Sequence, residues 1–243
     1  PPRSTLFPYT TLFRSDIEPM RGGHGDHYYL QLIANVRRYK GAPSLPAASG
    51  PATIRLEGSF DQWREVRPVY TDAVGDTLPR DHRGVLKLHY ANRSGRNDIV
   101  ACQVARDARH LYFHVRTREP LTSSAGPNWM WLLIDADQRQ ATGWEGYDYI
   151  VNRTVAGEGV TWLEKHTAGW GWGNPTEIRY RVEGTSLHLA IPRAALGLSG
   201  AGTAAAFDFK WIDHAQQPGD LFDFYVSGDA APESRFNYRY AGD

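Results

Sequence analysis

The chain has one cysteine, Cys102, in 243 residues, so no intramolecular disulfide can brace it. It has no charge excess either: Lys plus Arg and Asp plus Glu both number 27, for a formal net charge of zero. That balance withholds the basic surface that phosphates reward and excludes nucleic acid as an expected partner. It also supplies no polybasic handle for a membrane, and no apolar run approaches the roughly 20 residues of a spanning helix. Zinc-protease H-E-x-x-H and nucleophile-elbow G-x-S-x-G signatures are missing. A haem held by Met and His would have to use Met130, which alternates like a core residue. Cys102 sits in an alternating strand, as a buried structural thiol does.

What the chain has in quantity is aromatic: 8 Trp, 13 Tyr and 9 Phe, with 41% hydrophobic and 22% charged residues overall. This is the composition of a packed domain rather than a disordered one. Four segments follow from the order of residues. Residues 1–15 contain TLFPYTTLFRS, which reads as a translated sequencing adapter carried in from assembled environmental or draft sequence, and are set aside. Residues 16–41 carry a helix with Asp26 as cap, Leu30, Ile33, Ala34 and Val36 as stripe and Gly41 as stop, read as the remnant of an upstream domain. His24 and His27 lie there without a partner cluster and read as loop histidines. Residues 42–52 are a Pro/Ala/Ser/Gly linker, and 53–243 form the main domain.

In that domain the period is two. Cys102 and Val104 alternate with Gln103 and Ala105, and Leu111, Phe113 and Val115 resume after RDARH, as in a hairpin. Ile178, Tyr180 and Val182 turn through Gly184-Thr185 into Leu187, Leu189 and Ile191. Phe207, Phe209 and Trp211 form another strand, and Phe222, Phe224 and Val226 read as one more. Ten or more short strands without intervening long helices predict an all-β fold, an antiparallel two-sheet β-sandwich of jelly-roll type with one N-terminal helix.

The segments EGSFDQW, VARDARHLYFHVRTRE, WMWLLIDADQRQATGWEGYDYIVNR, YRVEGTSLHLAIPRAALGL and FDFKWIDHAQQPGD, in that order over roughly residues 54–240, resemble family 9 carbohydrate-binding modules and their DOMON-like relatives. The resemblance implies a sandwich that binds sugars by aromatic stacking, carries calcium, and is joined to a catalytic domain of a secreted or periplasmic glycoside hydrolase. It places the strand of Trp129 and Trp131 on the ligand side, with Trp131 where a ligand-binding acidic residue is usual in the family, and Asn152 where a family asparagine hydrogen-bonds sugar. The family's C-terminal clamp Trp is absent from SGDAAPESRFNYRY, so Phe236 or Tyr238 would have to substitute.

Sugars present apolar C–H faces and hydroxyl edges, so a site needs flat aromatics beside planar polar groups. Trp170 and Trp172, in the glycine-rich TAGWGWGNP, have nothing local to pack against and are expected to meet ligand. Trp129 and Trp131 alternate with Met130 and so share one sheet face, as ligand contacts or as core. Trp144 is the further candidate, whereas Trp63 and Trp211 read as core. Calcium takes six to eight oxygens on a loop with glycines. Asp135, Asp137 and Asp148, on the loop with Gly143 and Gly146, match that demand; an ion-free Asx-turn loop uses the same residues. A glycosidase needs two carboxylates about 5–9.5 Å apart; Glu145, Asp148, Glu164 and Asp223 are available, and spacing alone pairs none of them. Three functions are therefore open: non-catalytic polysaccharide binding, a small β-sandwich polysaccharide-degrading enzyme, or structural support of a catalytic barrel.

Overall fold

The computed structural model describes residues 27–41, 44–83, 89–198, 202–233 and 235–243. The adapter-like segment, Asp26, His24 and part of the linker lie outside them. Two compact units are present, residues 1–44 with 82–90, and residues 45–81 with 91–243. In the first, helix α1 (His27–Lys40) ends as expected: Gly41 takes φ +80°, and its N–H donates to the Arg37 carbonyl at 2.8 Å. Arg37, Arg38 and Lys40 in the last turn complement the negative end of the helix dipole.

The rest is β-structure, and every pairing in the large sheet is antiparallel. In chain order the strands are β1 (Val69–Thr71), β2 (Arg80–Arg83), β3 (His89–Asn92), β4 (Ile99–Arg106), β5 (His110–Thr117), β6 (Trp131–Asp135) and β7 (Tyr149–Gly157). They continue as β8 (Val160–His166), β9 (Trp172–Glu183), β10 (Ser186–Pro192), β11 (Ala205–Asp213), β12 (Asp229–Ala231) and β13 (Tyr238–Gly242). Eleven of them form one sheet in the order β1-β4-β5-β10-β9-β8-β7-β6-β11-β12, with β13 also on β11; β2 and β3 pair separately. The sheet curls until its ends approach: the Ile99 N–H at the start of β4 donates to Asp229 Oδ2 of β12 at 2.5 Å. The expected all-β antiparallel architecture is present, and its layers are continuous through shared hydrogen bonds, like a nearly closed barrel.

The alternation read from the sequence fills the interior. Leu111, Phe113 and Val115 meet Leu187, Leu189 and Ile191 across β5 and β10, and Phe207, Phe209 and Trp211 close the core from β11. The outward face of β4 and β5 is covered too, by the segment carrying Ile54, Trp63 and Val66. Beneath it lies a network of buried polar groups, in which His114 Nε2 is left without a partner. His114 Nδ1 lies 3.0 Å from Gln103 Oε1, and Gln103 Nε2 donates to the Trp63 and Val66 carbonyls at 2.9 Å. Trp63 Nε1 donates to His188 Nδ1 at 3.1 Å.

One expected strand is absent. Residues Leu221–Tyr225 form a 3₁₀ turn, because Asp220 accepts the Phe222 N–H and Asp223 accepts those of Gln216 and Gln217. Local side-chain acceptors of this kind outcompete a ladder.

Candidate functional site

One face of β6, β7 and β11 carries Trp131, Leu133, Ile150 and Ile212 and is roofed by three connecting segments. The loop after β6 contributes Trp144 and Tyr147, the turn between β8 and β9 brings Trp170 and Trp172, and the segment before β12 adds Ala215, Leu221 and Phe224. Trp170 is the hub. Its ring meets Trp144 at 4.4 Å and 75°, Trp172 at 5.3 Å and 87°, and Trp131 at 5.5 Å and 40°. Edge-to-face contact suits the aromatic quadrupole and adds to area burial. The turn that presents these rings is closed by Thr167 N–H to the Gly171 carbonyl at 2.9 Å and Gly171 N–H to the Ala168 carbonyl at 2.7 Å. Trp170 and Trp172 therefore pack, against the expectation that nothing local would hold them, and both stay half-buried.

Of the eight tryptophans, Trp63, Trp129, Trp131, Trp144 and Trp211 are buried, and Trp162, Trp170 and Trp172 are half-buried. The expectation that Trp129 and Trp131 share a face is corrected. They belong to different clusters, each 1% exposed, because Asn128 and Met130 adopt φ +50° and +43° and break the alternation just before β6. Asp213 fixes this corner by accepting the Met130 N–H at 3.0 Å and a two-pronged contact from Arg96 at 2.7 and 2.9 Å. Trp129 Nε1 donates to the Thr122 carbonyl at 3.0 Å. Asn152, 1% exposed with φ +66°, donates through Nδ2 to the Met130 carbonyl at 2.7 Å. As they stand, Trp129, Trp131, Trp144 and Asn152 are buried; Trp131 and Trp144 support the Trp170 ring from beneath, whereas Trp129 belongs to the central core and borders a separate cleft. Two indole N–H groups in this cluster, on Trp131 and Trp172, are sealed without an acceptor. Tyr238 is structural, its ring tilted at 37° against Tyr70 with centroids 4.9 Å apart, while Phe236 is 51% exposed.

Asp135, Asp137 and Asp148 do converge, each placing a carboxylate oxygen within 4.8 Å of the others, so this group can hold a metal ion. Their loop needs its glycines: Gly143 has φ +69°, and a Cβ there would lie 2.2 Å from the Tyr147 carbonyl oxygen. The carboxylates also close the loop themselves. Asp137 accepts from Thr142 Oγ1 and the Arg139 N–H, Asp135 Oδ1 from the same N–H at 3.2 Å, and Asp148 Oδ2 from the Ala136 N–H at 2.9 Å. Burial pushes the Asp135 carboxyl up to about 6.

Two of the acids available for glycosidase chemistry, besides Asp148, have other employment, and Glu145 is exposed. Glu164 is gripped by the Arg153 guanidinium, with Nε to Oε2 at 2.9 Å, and Asp223 Oδ2 takes two backbone N–H groups. Sequence reasoning missed two features. The first is a cleft of about 770 Å³ whose lining includes Ser123, Ser124, Tyr180, Arg179, Arg181 and Glu158. The second is an acidic group of Asp72, Asp76 and Asp229. Asp229 stands more than 150 residues from Asp72 and Asp76 along the chain, so no local motif announces the group. No family model, curated protein or solved structure matches the chain.

Proposed function

We propose that the chain is a non-catalytic carbohydrate-binding module of family 9 type, the accessory domain of a secreted glycoside hydrolase, taking polysaccharide at the edge formed by Trp170 and Trp172. One observation carries this reading: two loop-borne indoles are propped against Trp131 and Trp144 yet stay half-open. A pyranose laid on that edge offers its C–H groups to the half-open rings. Because the rings are already fixed by each other, little side-chain entropy is lost on binding. The resemblance in the sequence supports the ligand class. Calcium fits the Asp135, Asp137 and Asp148 loop by donor type, since all three ligands are hard oxygens, and would brace Trp144 from behind. An upstream catalytic domain of the same chain is the natural partner in this reading.

Affinity electrophoresis through a panel of soluble polysaccharides, with reducing-sugar release measured on the same substrates, tests the proposal. The wild-type chain is expected to be retarded by at least one polysaccharide and to release no sugar. Trp172→Ala is expected to weaken retardation at least tenfold, and Arg179→Ala in the cleft to leave it unchanged. Retention that survives Trp172→Ala and is lost with Arg179→Ala moves the ligand to the cleft and overturns this site. Sugar release above the blank overturns the non-catalytic reading.

A further inference from the structure

Three strand ends meet at the seam where the sheet nearly closes. Asp72 follows β1, Asp98 precedes β4 and Asp229 opens β12, while Asp76 lies on the loop leaving β1. The loop is anchored there: the Asp72 N–H donates to the Val100 carbonyl at 3.2 Å and the Gly75 N–H to Asp98 Oδ2 at 2.8 Å. Asp72, Asp76 and Asp229 each bring a carboxylate oxygen within 4.8 Å of the other two. Oxygens around one calcium ion, at about 2.3–2.6 Å from it, lie up to about 5 Å apart. The three are spaced to touch a single ion.

Clustered acids alone prove little, and here a second observation points to a ligand. The Asp98 side chain is 8% exposed, and its Oδ1 is sealed with no hydrogen-bond partner, although its charge acts on both Asp72 and Asp76. Oδ2 of Asp72 and both oxygens of Asp76 are likewise sealed and unpartnered. Buried acceptors in folded proteins nearly always find a donor, because leaving one bare costs a large part of its hydration energy. Beside them is a cavity of about 10 Å³, lined by Asp76, Asp229 and Glu233 and wide enough for one water-sized sphere. The Asp135 group differs on this point: none of its oxygens is both sealed and unpartnered.

Charge gives the same answer. Lys210, fully buried, donates Nζ to the Pro232 carbonyl and faces Asp72, Asp229 and Glu233 as their buried counter-charge. Arg118 stands 3.8 Å from Asp98 and is half exposed. Arg80 lines the same cavity and donates to the Asp76 carbonyl at 2.8 Å, so Lys210, Arg118 and Arg80 face five carboxylates, Asp72, Asp76, Asp98, Asp229 and Glu233, and a carboxylate surplus remains. Burial, then repulsion from Asp76, pushes Asp72 up to about 7, and burial above all pushes Asp229 up to about 8. With no sulfur or imidazole among the donors, the set suits a hard cation. We propose that Asp72, Asp76 and Asp229 bind one divalent cation of the calcium class, with the Asp98 carboxylate beside them adding its charge, and that the ion pins β12 to β1 and β4. The rival account is a set of shared protons, with Glu233 and Asp76 bonded carboxyl to carboxylate.

Calorimetric titration of the chelator-stripped full chain with calcium, paired with thermal unfolding, separates the two. Wild type is expected to bind calcium and to gain about 5–10 °C in Tm at about 100 times Kd. Asp76→Asn and Asp72→Asn are each expected to lose one equivalent of calcium, while Asp137→Asn keeps that equivalent. In chelator the Asp76→Asn chain is expected to melt no lower than wild type, since repulsion is relieved, which shows that it folds. Absence of calcium binding by wild type overturns the site. So do calcium stoichiometry and affinity unchanged in both Asp72→Asn and Asp76→Asn, which leaves the proton-sharing account.

Discussion

Trp170 meets Trp144 edge-on, with ring centroids 4.4 Å apart and planes at 75°, although the two residues come from different loops. That contact joins the turn between β8 and β9 to the loop after β6, so the rings depend on one another for position. Trp170→Ala removes a half-buried indole from contact with three others and is expected to cost about 2–3 kcal/mol. Tm then falls by roughly 5–10 °C. Chemical denaturation that shows a loss below about 0.5 kcal/mol would mean the indole is not packed as described.

Gly143 supports the same loop through backbone shape. At φ +69° a side chain is strained, and a Cβ would meet the Tyr147 carbonyl oxygen at 2.2 Å. Gly143→Ala is therefore expected to destabilise by about 2–4 kcal/mol and to perturb Trp144. Near-ultraviolet circular dichroism together with the unfolding midpoint reads both effects; a near-native spectrum at wild-type stability would contradict them.

The helix stop, the core strands and the metal-competent loop were legible from residue patterns, because Gly41, the alternation of β5 and β10, and the Asp135–Asp148 spacing are local signals. The faces of Trp129 and Trp131 were not. A strand pattern assumes extended backbone, and the left-handed turn at Met130, held by Asp213 from β11, reverses the count. Trp170 and Trp172 looked free for the same reason: their neighbours in sequence are glycines, and their partners arrive from distant segments. The seam carboxylates are the extreme case, since Asp72 and Asp229 are brought together only by closure of the sheet.

His114 gives the domain an acid limit. Its ring stacks on Trp63 at 4.9 Å; Nδ1–H donates to Gln103, whose amide N–H groups are spent on carbonyls, and Nε2 is sealed without a partner. Burial, then His188 and Arg116, lowers its pKa to about 3. The unfolded chain binds this proton near pH 6.5 and the folded chain does not. Stability is thus intact above pH 6.5 and falls by about 4 kcal/mol as pH drops to about 3. Denaturant unfolding at pH 7, 5 and 4 is expected to show the decline, and His114→Gln to flatten it. An equal slope in that variant would remove His114 as its source.

The sugar-binding reading depends on Trp172 offering its half-open ring to ligand. Titration of intrinsic tryptophan fluorescence with the oligosaccharide units of a retained polysaccharide tests this most directly. Wild type is expected to show a saturable spectral change, and Trp172→Ala, which removes the stacking ring, to bind at least tenfold more weakly. Saturation curves that superimpose for the two chains, or no spectral change in wild type with any sugar, would contradict the account.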